Sequence, residues 1–118
     1  MSVEWNIEAL KDNFDNAIEV ILSDIEWIMN RLADAEDLED LPAIEEDIDD
    51  VEYRIYELER EWLGRIHRLD LTEEQFDELY DHIEGRCDEA REMIREARDE
   101  YYNIERELMR REEEEEVW

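Results

Sequence analysis

Carboxylates are the most abundant side chains in this sequence that could do chemistry. There are 41 Asp and Glu residues against 13 Lys and Arg, and the formal net charge is −28. A pair of carboxylates can act as general acid and base, but only in a cleft that shifts their pKa values. The slim helical bundle that the apolar spacing predicts offers no obvious cleft. The sequence therefore predicts a charged surface and no enzymatic activity.

Histidine and cysteine are too few, and wrongly spaced, for the common metal sites. A di-iron bundle uses two Glu-x-x-His motifs, but Gly64 and Leu79 stand three residues before His67 and His82. No calcium-binding loop of the type Asp-x-Asp-x-Asp-Gly is present. Cys87, the single cysteine, falls on a predicted core row, which indicates an inert buried thiol. We expect no metal, no cofactor and no catalytic residue, and both histidines at the surface.

The longest stretch without a basic residue is 32–53. Its carboxylates, termed the acidic gap, are Asp34, Glu36, Asp37, Glu39, Asp40, Glu45, Glu46, Asp47, Asp49, Asp50 and Glu52. The C-terminal third instead interleaves the two signs at helix-neighbour spacing, for example Glu92 with Arg95. The spacing predicts that the gap is not neutralised and that the C-terminal third is.

A second acidic feature runs along the predicted first helix. At ~100° per residue, six carboxylates fall within about 80° of one another on a helical wheel. This acidic row is Glu4, Glu8, Asp12, Asp15, Glu19 and Glu26. Neighbouring members are roughly 4.5–6 Å apart along the axis, with a last gap of about 10 Å. The regular spacing is similar to the negative edge of a phosphate backbone.

Apolar residues recur at steps of three and four in three segments, which predicts amphipathic helices at about 3–37, 42–69 and 73–115. Pro42 suits the first turn of the second helix. Thr72 and Gln75 fit a capping box before the third. Two glycines and one proline leave little material for hairpin turns. The predicted fold is all-α: an up-down-up antiparallel three-helix bundle, coiled-coil-like, with a long C-terminal helix.

The third helix carries the longest predicted core row. Its members are Phe76, Tyr80, Ile83, Cys87, Ala90, Ile94, Ala97, Tyr101, Ile104 and Leu108. This helix exceeds the second by roughly 25 Å at ~1.5 Å per residue. Its last core residues therefore need a cover, which a homodimer could supply, as could an extended first helix. We expect one domain over 1–118, with a frayed acidic tail at 112–118.

The charge and the tryptophans bear on the kind of partner. Phosphate contacts need an excess of Lys and Arg, and an anionic membrane repels an acidic surface, so direct binding of nucleic acid or membrane is not expected. The sequence has no run of ~18 apolar residues and no recognisable signal peptide, which predicts a cytoplasmic protein. Trp5, Trp27 and Trp118 are candidate interface anchors, although Trp27 fits the core equally well.

Solubility alone does not account for the charge, since a small domain needs a net charge of only ~2–8. Excess charge also destabilises the compact state. Three explanations remain open: a strongly basic partner, adaptation to a high-salt cytoplasm, or a structural coiled coil that assembles with another chain. The up-down-up order favours the first, because it brings the acidic gap and the run Glu112–Glu116 to the same pole.

In size, charge and helical carboxylate rows, the whole chain resembles phage-encoded acidic DNA-mimic inhibitors, the class that includes anti-restriction and anti-CRISPR proteins. The resemblance rests on no sequence motif. It implies a non-enzymatic inhibitor that occupies the positively charged DNA-binding channel of its target. That target would be a nuclease, a CRISPR effector, a restriction enzyme or a nucleoid protein. The acidic row and the acidic gap are then the predicted partner-binding residues.

Overall fold

Three long helices account for most of the chain in the computed structural model, which describes residues 6–116. Helix α1 spans Ile7–Asp34, α2 spans Leu41–Arg68 and α3 spans Glu73–Glu116. A single 3-10 turn at Leu38–Asp40 precedes α2. No strand occurs within residues 6–116. The helix continues to Glu116, so much of the segment predicted to be a frayed tail is helical; residues 117 and 118 lie outside the description.

The helix ends are set by local hydrogen bonds. The side chain of Asn6 accepts a bond from the Ala9 amide at 3.1 Å, which caps α1. After Asp34 the backbone becomes extended at Ala35, so the prediction that this helix continues to Asp37 was wrong. The carboxylate of Asp40 accepts bonds from the amides of Glu36 and Asp37, each 3.2 Å long. These bonds satisfy loop amides that a longer helix would have used internally.

The predicted capping box before α3 is confirmed. The Gln75 amide donates to the Thr72 hydroxyl, and the Thr72 amide donates to the Gln75 side chain, both at 3.1 Å. This reciprocal pair satisfies two amides at the helix start. It ends the short second connection, so α3 reverses direction after only a few residues.

Ion pairs between helices show how the three helices run relative to one another. Lys11 binds Glu78 and Asp15 binds His82, in both cases 67 residues apart, so α1 and α3 are parallel. Arg98 binds Asp49 and Glu52 near the start of α2, whereas Arg91 binds Glu59 further along it. Thus α2 runs antiparallel to α3. All three pairs of helices are in contact, which makes the fold the predicted up-down-up bundle.

The core is one continuous apolar column. Its buried members from α1 and α2 are Phe14, Ile18, Ile21, Leu22, Ile25, Ile28, Leu32, Leu41, Ile44, Ile48, Val51, Ile55, Trp62 and Ile66. Those from α3 are Leu79, Ile83, Cys87, Ala90, Ile94, Ala97, Tyr101 and Leu108. The three-four periodicity therefore located most of the core correctly.

The core register near the start of α3 differs from the prediction. Leu79 is fully buried, whereas Tyr80, which was predicted to be a core residue, is 38% exposed and stacks on Phe76. A leucine at this position buries its whole side chain without leaving a polar atom unpaired. A tyrosine at the rim keeps its hydroxyl in water. The strict 3.5-residue repeat hence starts at Ile83 and not at Phe76.

The far end of α3 is covered by its own chain. Tyr101 and Leu108 are buried, and Leu38 of the 3-10 turn packs against the same core. The 3-10 turn contacts both α2 and α3. The apolar row of α3 is therefore already covered within the chain. Dimerisation stays a prediction, but the need to cover this row no longer supports it.

Candidate partner-binding surface

The acidic gap lies beside the C-terminal part of α3. The Tyr101 hydroxyl donates to Glu45 at 2.7 Å, which ties the start of α2 to α3 at this level. Burial and the neighbouring carboxylate both raise the pKa of Tyr101, so the hydroxyl stays protonated and keeps donating. The end of α1, the first connection, the start of α2 and the part of α3 around Tyr101 thus form one pole. The run Glu112–Glu116 lies further along α3, and its meeting with the acidic gap stays a prediction.

Three carboxylates of the acidic gap are neutralised, contrary to the prediction for that stretch. Asp47 pairs with Arg31 of α1. Asp49 and Glu52 both pair with Arg98 of α3, at 2.6 and 2.9 Å. The prediction considered only the basic residues that are close in sequence. Arginine side chains of the two neighbouring helices reach across to these positions instead.

The rest of the gap is free of ion pairs within the described part of the chain. Asp40 caps the first connection and Glu45 accepts the Tyr101 hydroxyl. The remaining six carboxylates are exposed and make no ion pair with residues 6–116; they are termed the pole carboxylates: Asp34, Glu36, Asp37, Glu39, Glu46 and Asp50. They come from three consecutive elements. Like charges brought together this way create a strong local negative potential.

Only part of the acidic row on α1 is free of ion pairs within the described residues. Asp15 contacts His82 at 2.7 Å and Arg86 at 3.3 Å, and Glu19 binds Arg86 at 2.5 Å. Glu8 has a longer contact of 3.5 Å to Lys11. The middle of the row therefore lies against α3, and it is not the continuous unpaired edge that the helical wheel suggested.

The remaining members of the row divide between exposed positions and positions outside the description. Asp12 and Glu26 are exposed and make no ion pair with residues 6–116, whereas Glu4 lies outside the described residues. His82 is partly buried against Asp15, so the prediction of a surface histidine was wrong for this residue. The 67-residue offset between α1 and α3 could not be read from the sequence, which is why Arg86 was not recognised as a partner.

The interleaved charges of α3 pair less locally than predicted. Asp88 binds Arg91 at 2.6 Å and Glu107 binds Arg111 at 2.9 Å, as helix-neighbour spacing allows. Arg91 also reaches Glu59 of α2 at 2.8 Å. Within residues 6–116, however, Glu92 makes no ion pair, and neither does Glu96. The outer face of α3 therefore also carries uncompensated acid.

The buried thiol and one half-buried carboxyl have displaced pKa values. Cys87 is fully buried in the core, and this burial raises the pKa of its thiol to about 12. The thiol is thus protonated and unreactive near neutral pH. Burial, followed by the nearby Glu59 and Asp88, raises the pKa of Glu84.

Two further features are absent from the described residues. No group of three or more His, Cys, Asp or Glu side chains there is arranged to hold a metal ion. No helix there is both long and apolar enough to cross a membrane. The described residues do present exposed charges and exposed aromatic side chains.

Trp27 lines a groove together with Asp50, one of the pole carboxylates. It is 57% exposed, which shows that it does not belong to the core. Trp5 and Trp118 lie outside the described residues. We compared the chain with protein-family models, with curated proteins and with solved structures, and found no match.

Proposed function

We propose that the protein is a non-enzymatic DNA mimic, which inhibits a DNA-binding protein by occupying its positively charged DNA channel. The observation that carries this proposal is the set of pole carboxylates, which stay exposed and unpaired after the nearby arginines have paired elsewhere. Natural surfaces usually mix the two signs. A pole that gathers one sign from three elements is suited to a strongly basic partner.

The shape of the molecule supports the same proposal. The Cα atoms extend over 80 × 17 × 15 Å. The net charge of −28 is spread along this rod. The average is about one net charge per 3 Å of length, against ~1.7 Å for duplex DNA. A slender rod of comparable charge density can enter a channel built for DNA.

The mechanism follows from electrostatic complementarity. Carboxylates of the pole would take the place of phosphates and pair with Lys and Arg side chains that line the channel. Opposite potentials steer such partners together, and association approaches 10⁸–10⁹ M⁻¹s⁻¹ at low salt. Bound protein excludes DNA because both need the same cations. The acidic row contributes less, since Asp15 and Glu19 already bind His82 and Arg86.

Displacement of DNA from purified target proteins tests the proposal. The targets are a restriction endonuclease, a guide-loaded CRISPR nuclease and a bacterial nucleoid protein, each bound to a fluorescently labelled duplex. Polyglutamate of matched charge serves as the control for charge without shape. We expect the protein to release the duplex from at least one target at a lower concentration than polyglutamate, with the effect weakening as salt rises.

Two results would overturn the proposal. One is that the folded protein displaces DNA no better than polyglutamate from every target. The other is that the protein binds a target at high salt while the target keeps its DNA. This result would favour the structural coiled-coil alternative.

A further inference from the structure

An open groove between α1 and α2 combines an aromatic ring with acidic side chains. Its volume is about 160 Å³, and it is lined by Asp24, Trp27, Ile28, Asp47, Asp50, Val51 and Arg54. Ile28 and Val51 are buried and form the floor. Trp27 lines the groove and is more than half exposed. This arrangement offers a partner an apolar surface with negative charge around it.

The exposure of Trp27 contrasts with the burial of the other described tryptophan. Trp62 is 5% exposed and meets the ring of Phe14 edge-on, at 5.5 Å between centroids. Trp27 has no such aromatic neighbour among the described residues. A single exposed apolar residue is common on protein surfaces, so its surroundings decide whether it has a role.

Residues of the groove already bind two guanidinium groups of the chain itself. The Arg31 guanidinium lies 4.6 Å from the centroid of the Trp27 ring, and the same side chain pairs with Asp47. Arg54 is bound in the same groove by Asp24 at 2.6 Å. The aromatic face and the adjacent carboxylates therefore make a suitable environment for arginine, whose planar cation stacks on indole and pairs with carboxylates at once.

Negative charge remains in and beside the groove after these pairs have formed. Asp50 lines the groove and is one of the unpaired pole carboxylates. Glu46 lies one turn before Asp50 on the same face of α2, and Asp34 lies one turn after Arg31 on α1. The groove thus joins the pole. The exposed part of the Trp27 ring is open to a second cation.

We infer that this groove is the arginine-docking site of the partner surface: an arginine of the basic partner stacks on Trp27 and pairs with Asp50. The inference rests on the proposed function and adds a specific anchor to it. Carboxylates bind both lysine and arginine. An aromatic face beside them favours arginine, because a flat, weakly hydrated guanidinium gains more from stacking than an ammonium does. The anchor would also fix how the pole is oriented in the channel.

The test compares deca-arginine with deca-lysine peptides, titrated at fixed low salt and followed by calorimetry. We expect the wild-type chain to bind the arginine peptide about fivefold more tightly than the lysine peptide, the effect of roughly one cation–π contact. Trp27→Ala should reduce this preference by weakening binding of the arginine peptide alone. Asp50→Asn should weaken binding of both peptides while keeping a preference for arginine.

The matched control is Tyr53→Ala, which removes an equally exposed aromatic residue (59%) from α2. It should leave both affinities unchanged. Circular dichroism of each variant checks that the bundle is intact. The inference is overturned if Trp27→Ala keeps the full arginine preference, or if it weakens binding of both peptides equally. Failure of the proposed function looks different: wild-type protein would prefer the arginine peptide and still displace no DNA.

Discussion

The pole carboxylates and the outer face of α3 are both exposed and acidic, yet they are organised differently. At the pole, unpaired carboxylates come from the end of α1, the first connection and the start of α2. On α3, Glu92 and Glu96 are also without ion pairs in the described chain, but they lie along a single helix. The sequence predicted a sharper contrast, with a fully uncompensated gap and a compensated α3.

The difference shows that a base neutralises the acids it faces, whatever their distance along the chain. Arg98 belongs to the supposedly compensated helix but binds Asp49 and Glu52 of α2. Arg91 likewise reaches Glu59. Arg98 thus serves α2, and Arg91 is shared between Glu59 of α2 and Asp88 of α3, while Glu92 and Glu96 make no ion pair within residues 6–116. What distinguishes the pole is convergence of several elements and not a lack of bases.

The core register of α3 decides which of its acidic side chains face outward. Substitution of a core residue tests this register and should give the largest effect on stability. Leu79→Ala should lower the free energy of unfolding by about 2–5 kcal/mol, because a fully buried leucine is lost. Tyr80→Ala, the adjacent control, should cost less than about 1 kcal/mol. Urea denaturation measures both. Equal losses would mean that the predicted 3.5-residue repeat extends to Tyr80 and that the outer face is assigned incorrectly.

Charge reversal tests directly whether the pole contributes more to binding than the outer face of α3 does. Changing Asp34, Glu39 and Glu46 together to Lys should weaken binding to a basic DNA-binding target by at least about tenfold, since convergent charges contribute most to complementarity.

The matched control for this reversal changes Glu92, Glu96 and Asp99 to Lys, which shifts the net charge equally. It should weaken binding by no more than about threefold, and surface plasmon resonance compares the two triple variants. Asp47 and Asp49 are avoided, since their reversal also breaks pairs with Arg31 and Arg98. Equal losses from the two triple variants would show that only total charge matters.

Salt should stabilise the protein by screening repulsion among unpaired acids. The Debye length is about 10 Å at 0.1 M. We expect the melting temperature to rise by about 4 °C between 10 and 300 mM NaCl, equivalent to roughly 1 kcal/mol. The triple reversal at the pole should show a smaller rise. A melting temperature that does not change with salt would mean that the charges are already compensated. A melting temperature that keeps rising up to molar salt concentrations would favour halophilic adaptation.

Removing the arginine that links α3 to the pole gives a smaller effect. Arg98→Ala should cost up to about 1 kcal/mol, because its two pairs are partly exposed and screened. It also frees two carboxylates, so binding to a basic target should strengthen slightly. Arg106→Ala is the control, since Arg106 is exposed and forms no ion pair within residues 6–116. If both variants unfold at the same urea concentration, the inter-helix pairs contribute no stability.

Mild acidification should have the smallest effect, and its sign follows from Glu84. A carboxyl whose pKa is raised by folding binds a proton more readily in the folded state, so stability increases as pH falls towards that pKa. The melting temperature should therefore not fall between pH 7 and pH 5. Glu84→Gln should raise it slightly at pH 7 and reduce its dependence on pH. A clear fall in wild-type melting temperature over this range would contradict the charge map.

Much of the fold follows from local patterns in the sequence. Three-four spacing located the helices and most of the core, and Thr72 with Gln75 correctly marked the start of α3. The misplacement of Tyr80 arose because a repeat cannot tell a buried leucine from a rim tyrosine one residue away. The end of α1 was missed because the amides of Glu36 and Asp37 donate to the Asp40 carboxylate, and these bonds compete with helix extension.

The acid composition, the spacing of apolar residues and the order of the three helices were all determined by the sequence itself, because each depends on neighbours within a few residues or on short connections. Only the tertiary structure decided which carboxylates are neutralised and where Trp27 lies. Ion pairs such as Arg98–Asp49 depend on the axial register between helices, and that register is set by how the whole core packs. The same packing left Trp27 in the α1–α2 groove with Arg31 stacked on it.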